Sequence, residues 1–172
     1  MISQEASRDR MLREEMNIVL RAATPDDEPF LLELYASTRA EELAGLGWDE
    51  NQKQIFLKMQ FLTRERSFGC GDHRIVLLNE RPVGRLWVDR TDVAILLRDI
   101  ALLPECRNAG IGTRLLEDLK HEAASVGKPI TLHVLTTNAA VRWYERLGFS
   151  RSGDESAYEQ AYLEMKWVPA TS

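Results

Sequence analysis

The segment from Asp99 to Leu116 constrains this chain more than any other. The apolar run Ile100-Ala101-Leu102-Leu103 ends at Pro104. The stretch Arg107-Asn108-Ala109-Gly110-Ile111-Gly112-Thr113 then opens a helix whose apolar face is Ile111, Leu115, Leu116, Leu119 and Ala123. A strand that turns tightly into a helix leaves the first helical N–H groups without intrahelical acceptors, at the positive end of the helix dipole. Such a turn is an anion site. Gly110 and Gly112 keep side chains away from a closely approaching phosphate, and Arg107 and Arg114 offer charge-assisted donors. Two other glycine loops do not fit. A Walker loop needs a Lys-Ser/Thr pair that is missing, and a dinucleotide fingerprint needs a third glycine where Leu115 stands. A helix start that uses its glycines only for tight packing remains the bland alternative.

The rest of the chain has to build a domain around that turn. Its 172 residues correspond to one domain, expected over residues 16–172, and 44% hydrophobic with 28% charged residues is a globular composition. Met1 to Glu15 is crowded with charge and is expected to be a mobile extension or loose helix, with Met16 as an alternative start. The formal charge of −5 argues against a nucleic-acid-coating surface. Cys70 and Cys106 are too few for a disulfide scaffold, and no apolar run approaches a membrane span, so a soluble cytoplasmic chain is expected.

Local patterns order the elements. Ile18-Val19-Leu20-Arg21 reads as a strand. Thr24 reads as an N-cap with Pro25 at the first helical position, opening a helix through Phe30, Leu31, Leu34 and Tyr35. Helix resumes to Phe68 after a loop at Ala44-Gly45-Leu46-Gly47-Trp48, with Ile55, Phe56, Met59 and Leu62 as its apolar face. Arg74 to Leu78 and Val83 to Val88 form a hairpin around the four residues Asn79-Glu80-Arg81-Pro82, and a third strand spans Ala94 to Leu103. Gly127-Lys128-Pro129 stops the helix that follows the loop. A strand over Ile130 to Leu135, a helix over Ala139 to Leu147 and a last strand over Tyr158 to Trp167 complete a mixed α/β (α+β) chain.

These blocks carry a resemblance. Arg107-x-x-Gly110-x-Gly112, preceded by Ile100-Ala101-Leu102-Leu103-Pro104 and followed by Leu115-Leu116, resembles the acetyl-CoA-binding motif of the GNAT N-acetyltransferase superfamily. The stretch from Leu132 through Asn138, Tyr144 and Glu145 to Gly148-Phe149 is similar to its second motif, and the likeness covers about Asn17 to Trp167. Asn108 stands where glycine or arginine is common, and Cys106 where an aromatic is frequent. The resemblance implies a central mixed, mostly antiparallel sheet flanked by helices, acetyl-CoA as cosubstrate, and a primary amine of a small molecule or peptide as acceptor.

What that chemistry needs can be matched to residues. The pyrophosphate would sit on the N–H groups of Asn108, Ala109, Gly110, Ile111, Gly112 and Thr113. The pantetheine arm would pair with the edge of Ile100, Ala101 and Leu102, and the Leu102 N–H would polarise the thioester carbonyl. By resemblance Tyr144 protonates the leaving thiolate, although its spacing with Ala140, Trp143 and Leu147 also suits a core aromatic. Asn138 reads both as N-cap and as CoA contact. An alkylamine is mostly protonated near neutral pH and must lose a proton, for which His133, Asp99 and Asp89 are candidates. A packed or surface strand histidine is the bland alternative for His133.

Other chemistries find little support. Neither Cys70, near His73, nor Cys106 has the neighbouring base that a covalent acyl-cysteine needs, and no histidine spacing suits a metal. Tyr35, Arg39, Glu41, Glu42, Trp48, Gln52, Phe56 and Gln60 are candidates for the acceptor pocket, with mixed charge that selects no amine class. A non-catalytic acyl-CoA-binding sensor is the runner-up reading, and edge pairing could make a homodimer.

Overall fold

In the computed structural model, residues 17–69, 71–152 and 161–170 are described. The N-terminal extension at Met1 to Glu15, Met16, Cys70 and the expected start of the last strand at Tyr158 lie outside them. Strands β1 (Ile18–Ala22), β2 (Asp72–Leu78), β3 (Arg81–Arg90), β4 (Ile95–Leu102), β5 (Ile130–Leu135), β6 (Ser150–Arg151) and β7 (Tyr162–Trp167) hydrogen-bond in the order β1-β2-β3-β4-β5-β7-β6. Helices α1 (Glu28–Ala44), α2 (Glu50–Phe68), α3 (Ile111–Ser125) and α4 (Ala140–Arg146) flank this mostly antiparallel sheet, so the mixed α/β expectation holds. The chain divides into two compact units, one of residues up to Leu86 with Ile100–Gly112, the other of Trp87–Asp99 with residues from Thr113 on. Among the described residues no helix is long and apolar enough to cross a membrane.

In the first unit β1 and β2 run antiparallel, from Ile18 opposite Leu78 to Ala22 opposite Arg74. The hairpin differs from expectation. Only Asn79 and Glu80 connect β2 to β3, with φ of 50° and 68°, and Arg81 and Pro82 already belong to the strand. Two consecutive left-handed residues match the right-handed strand twist, and Pro at a strand start forfeits little of the ladder. Thr24 is extended and leads into a 3-10 turn at Pro25–Asp27 before α1. The Asp27 carboxylate accepts the Thr24 N–H at 2.8 Å and the Arg21 guanidinium at 2.7 and 2.6 Å, and this pairing holds its pKa well below the usual carboxylate range.

Leu31, Tyr35, Leu43, Leu57, Phe61 and Ile75 form the core between α1, α2 and the strands. The apolar face expected for α2 is therefore corrected. Ile55 and Met59 are 55% and 65% exposed, whereas Leu57 and Phe61 are buried and Phe56 and Leu62 pack partly against the same core. The Tyr35 and Phe61 rings, 5.9 Å apart, fix the helix rotation. Buried Arg85 donates to Glu65 Oε1 at 2.6 Å, which supplies the counter-charge a buried cation requires.

In the second unit β5 lies parallel to β4 over Ile95–Leu97 and antiparallel to the whole of β7. The stripe expected for α3 is the one it buries, Ile111, Leu115, Leu116, Leu119 and Ala123. The helix ends where Gly127 takes φ 66° and the Lys128 N–H returns to the Ala123 carbonyl at 2.9 Å. The two-residue β6, paired to β7, was not foreseen.

Candidate functional site

The loop is built from residues with unequal demands. The Leu103 N–H donates to the Val83 carbonyl at 2.8 Å and anchors the end of β4, after which a 3-10 turn at Pro104–Cys106 redirects the chain. Asn108 and Gly110 then take φ of 59° and 84°, and α3 begins at Ile111. Asparagine is among the side chains that tolerate the left-handed region, so its presence at a position where glycine is common keeps the same backbone. A Cβ on Gly110 would meet nothing within 4 Å, so the backbone angle makes glycine favoured there and the space beside it is open. Left-handed residues leading into a helix N-terminus turn successive N–H groups toward one concavity, which suits an anion such as a phosphate.

The two arginines expected to help are engaged elsewhere. Arg107 Nε donates to the Leu102 carbonyl at 2.9 Å and its Nη2 to Ser37 Oγ at 3.3 Å, while Arg114 pairs with Asp118 at 3.2 Å. Each of these guanidinium groups has further N–H groups beyond those contacts, and the backbone N–H groups of the turn add donors of fixed direction. Ile100, Ala101 and Leu102 are half-buried on β4. Gly84 of β3 lies against them so closely that a Cβ would stand 2.3 Å from the Ala101 carbonyl and 2.6 Å from Leu102 Cδ2. A lone glycine inside a strand was the available signal for this close approach.

The second unit holds the proton-transfer candidates. Tyr144 is buried in α4, its ring 4.9 Å from that of Trp143 and 5.6 Å from that of Phe149. Burial first, then the negative charge of Asp99, pushes its pKa well above the ordinary phenol value, so the hydroxyl keeps its proton. The N-cap expected at Asn138 falls instead on Ala139, one residue later, because the helix begins at Ala140; the Asn138 Oδ1 still accepts the Ala140 N–H at 2.9 Å. Trp143, weighed in the sequence only as a packing residue, donates its indole N–H to Thr113 Oγ1 at 3.2 Å. His133 is an exposed strand residue on β5, its Nε2 3.5 Å from Glu164 Oε2. Asp89 is taken up by Arg98 Nε at 2.6 Å. Cys106 is a buried free thiol.

The acceptor candidates fall on α1, α2 and the loop between them. Arg39 donates to the Tyr35 hydroxyl at 3.0 Å and clamps Glu42 at 2.6 and 2.8 Å, and the Tyr35 hydroxyl donates to Gln60 Oε1 at 3.2 Å. Arg64, not foreseen, stands 5.7 Å from the Tyr35 ring centre. Gln52 belongs to a capping box with Asp49, and Trp48 packs edge-on against Phe56 at 5.1 Å. Those three have structural duties, while Glu41 is exposed.

The family profile described as an acetyltransferase (GNAT) domain matches residues 71–151, a span that begins beside β2, includes the loop and ends at β6. Over that span the chain resembles a GNAT acetyltransferase domain. N-alpha-acetyltransferase 60 of Xenopus tropicalis is 44% identical over 64 residues, 34% of this chain and 26% of that protein. The chain thus spans about a quarter of the length of this curated relative. Among solved GNAT structures, the PaiA N-acetyltransferase of Thermoplasma acidophilum in complex with coenzyme A superimposes with a TM-score of 0.66 at 17% identity, covering 89% of this chain and 99% of that one. The ribosomal-protein-S18-alanine N-acetyltransferase of Escherichia coli gives a TM-score of 0.59 at 19% identity over 90% and 96%. At such identities these structures speak for a shared GNAT fold.

Proposed function

We propose that this protein transfers an acetyl group from acetyl-CoA to a primary amine of a small molecule or peptide, by direct attack in a ternary complex. The observation that carries the reading is the left-handed pair Asn108 and Gly110 leading into the N-terminus of α3, with open space beside Gly110. The coenzyme A bound by the PaiA neighbour supports the donor, and the N-alpha-acetyltransferase relative supports an amine acceptor.

In this reading the N–H groups of Asn108 to Thr113 bind the pyrophosphate, Ile100 to Leu102 align the pantetheine, and the Leu102 N–H stabilises negative charge on the carbonyl oxygen. The amine nitrogen bonds to the acyl carbon as the carbon–sulfur bond breaks. Tyr144, kept neutral by burial, supplies a proton to the departing sulfur, and His133 or Asp99 accepts one from the amine. Asn138 fixes the start of α4 and with it Tyr144.

The test is calorimetric titration with acetyl-CoA, NAD and ATP, followed by thiol release with a panel of amines. One-site binding of acetyl-CoA that is lost in Gly110→Val, with amine-dependent thiol release, supports the reading. Preference for NAD or ATP would overturn it, and saturable acetyl-CoA binding without product would favour the sensor.

A further inference from the structure

His133 does not stand alone on its strand. It pairs across the β5–β7 ladder with Glu164, and the imidazole Nε2 is 3.5 Å from Glu164 Oε2. The other carboxylate oxygen, Oε1, accepts the Ser152 hydroxyl at 2.7 Å, while the Ser152 N–H donates to the Glu164 carbonyl at 2.9 Å. Ser152 therefore holds the carboxylate by one oxygen and leaves the second for the imidazole. We propose that Glu164 is a positioning residue for His133, set in place by Ser152, and that the pair forms a base with a fixed tautomer.

The proposal rests on the reading of His133 as proton acceptor. A carboxylate facing Nε2 favours the neutral tautomer that carries its hydrogen there, which leaves the Nδ1 lone pair to take a proton. An alkylammonium acceptor then becomes a neutral amine as Nδ1 is protonated, and the imidazolium is balanced by Glu164. Other charged groups facing this region among the described residues are internally matched or displaced along the ladder. Arg98, next on β4 after the last registered pair Leu97 and Leu132, is held by Asp89, and Lys166 lies opposite Thr131. Tyr162, opposite Leu135, is the remaining titratable neighbour on β7.

The experiment compares full-length wild type with His133→Ala, Glu164→Gln, Glu164→Asp and Ser152→Ala. It measures kcat and KM for the amine with a saturated acetyl donor, and follows the His133 tautomer by the NMR shifts of its ring nitrogens. The expected result is a large loss of turnover in His133→Ala. Glu164→Gln should lower kcat several-fold with KM little changed and reduce the share of the tautomer protonated at Nε2, with partial recovery in Glu164→Asp. Ser152→Ala should shift kcat and the tautomer share in the same direction by less. A kcat and a tautomer ratio that stay put in a folded Glu164→Gln, while His133→Ala is crippled, would overturn the positioning role alone. Undiminished turnover in His133→Ala would remove the base itself, and the proposal with it.

Discussion

Trp143 donates its indole N–H to Thr113 Oγ1 at 3.2 Å and so ties α4 to the first turn of α3. Trp143 adjoins Tyr144, and Thr113, Trp143 and Tyr144 all belong to the second compact unit, so this side-chain bond holds the helix that carries Tyr144 against α3. Thr113→Val removes the acceptor while preserving shape. The indole N–H is half-buried, and the loss is expected to cost about 1 kcal/mol. Urea denaturation of Thr113→Val and Trp143→Phe should give similar losses, and the double variant should lose less than their sum. Full additivity would show that the bond couples nothing.

Two glycines carry separable costs. Gly84→Ala would drive a methyl group into the Ala101 carbonyl, a backbone atom that cannot swing aside, and should destabilise by about 3 kcal/mol. Gly110→Ala meets open space, so only its φ of 84° is penalised, at about 1 kcal/mol. Comparing denaturation midpoints decides the matter: equal losses would mean that the approach of β3 to β4 is not tight.

Where local periodicity was long and single-valued, the sequence was readable. The α3 stripe repeats from Ile111 to Ala123, and the helix buries it unchanged. In α2 two i, i+4 pairs competed, Ile55 with Met59 and Leu57 with Phe61, and the choice depended on Tyr35, which lies outside that helix. The loop was legible because its chemistry is local: glycines, a preceding strand and a following helix. The partner of His133 is remote in sequence and meets it only through the register of β5 with β7, which no spacing reveals. Likewise Arg107 offered a donor by type, but its direction is set by the Leu102 carbonyl and Ser37.

Asp27 should govern acid sensitivity at the start of α1. Its folded pKa is depressed by the Arg21 pair, so the stability it contributes is present above the unfolded carboxylate value of about 3.9 and is lost as pH falls through the lower folded value. Asp27→Asn keeps the size but loses the charge-assisted bonds, and should cost about 1–3 kcal/mol at neutral pH. Denaturation midpoints of wild type and variant should converge below about pH 4. A gap that stays constant down to pH 2 would show that Asp27 acts by packing alone.

Tyr144 offers the sharpest separation of binding from chemistry. Its hydroxyl is neutral across the whole working range, because burial and Asp99 both oppose the phenolate. Tyr144→Phe retains the ring that packs on Phe149 and removes only the proton donor, so acetyl-CoA affinity and unfolding midpoint should hold within error. Turnover should fall by about 100-fold or more, the usual scale for losing a general acid. The contribution of Asp99 has a sign of its own. Asp99→Asn withdraws a negative charge that disfavours the phenolate and so lowers the Tyr144 pKa toward the ordinary value near 10. A basic limb absent from the wild-type kcat profile up to about pH 10 should then move down toward the measurable range in Asp99→Asn, and should vanish again when Tyr144→Phe is added. Wild-type turnover in Tyr144→Phe would return this residue to the core, and the proton for the sulfur would have to come from solvent.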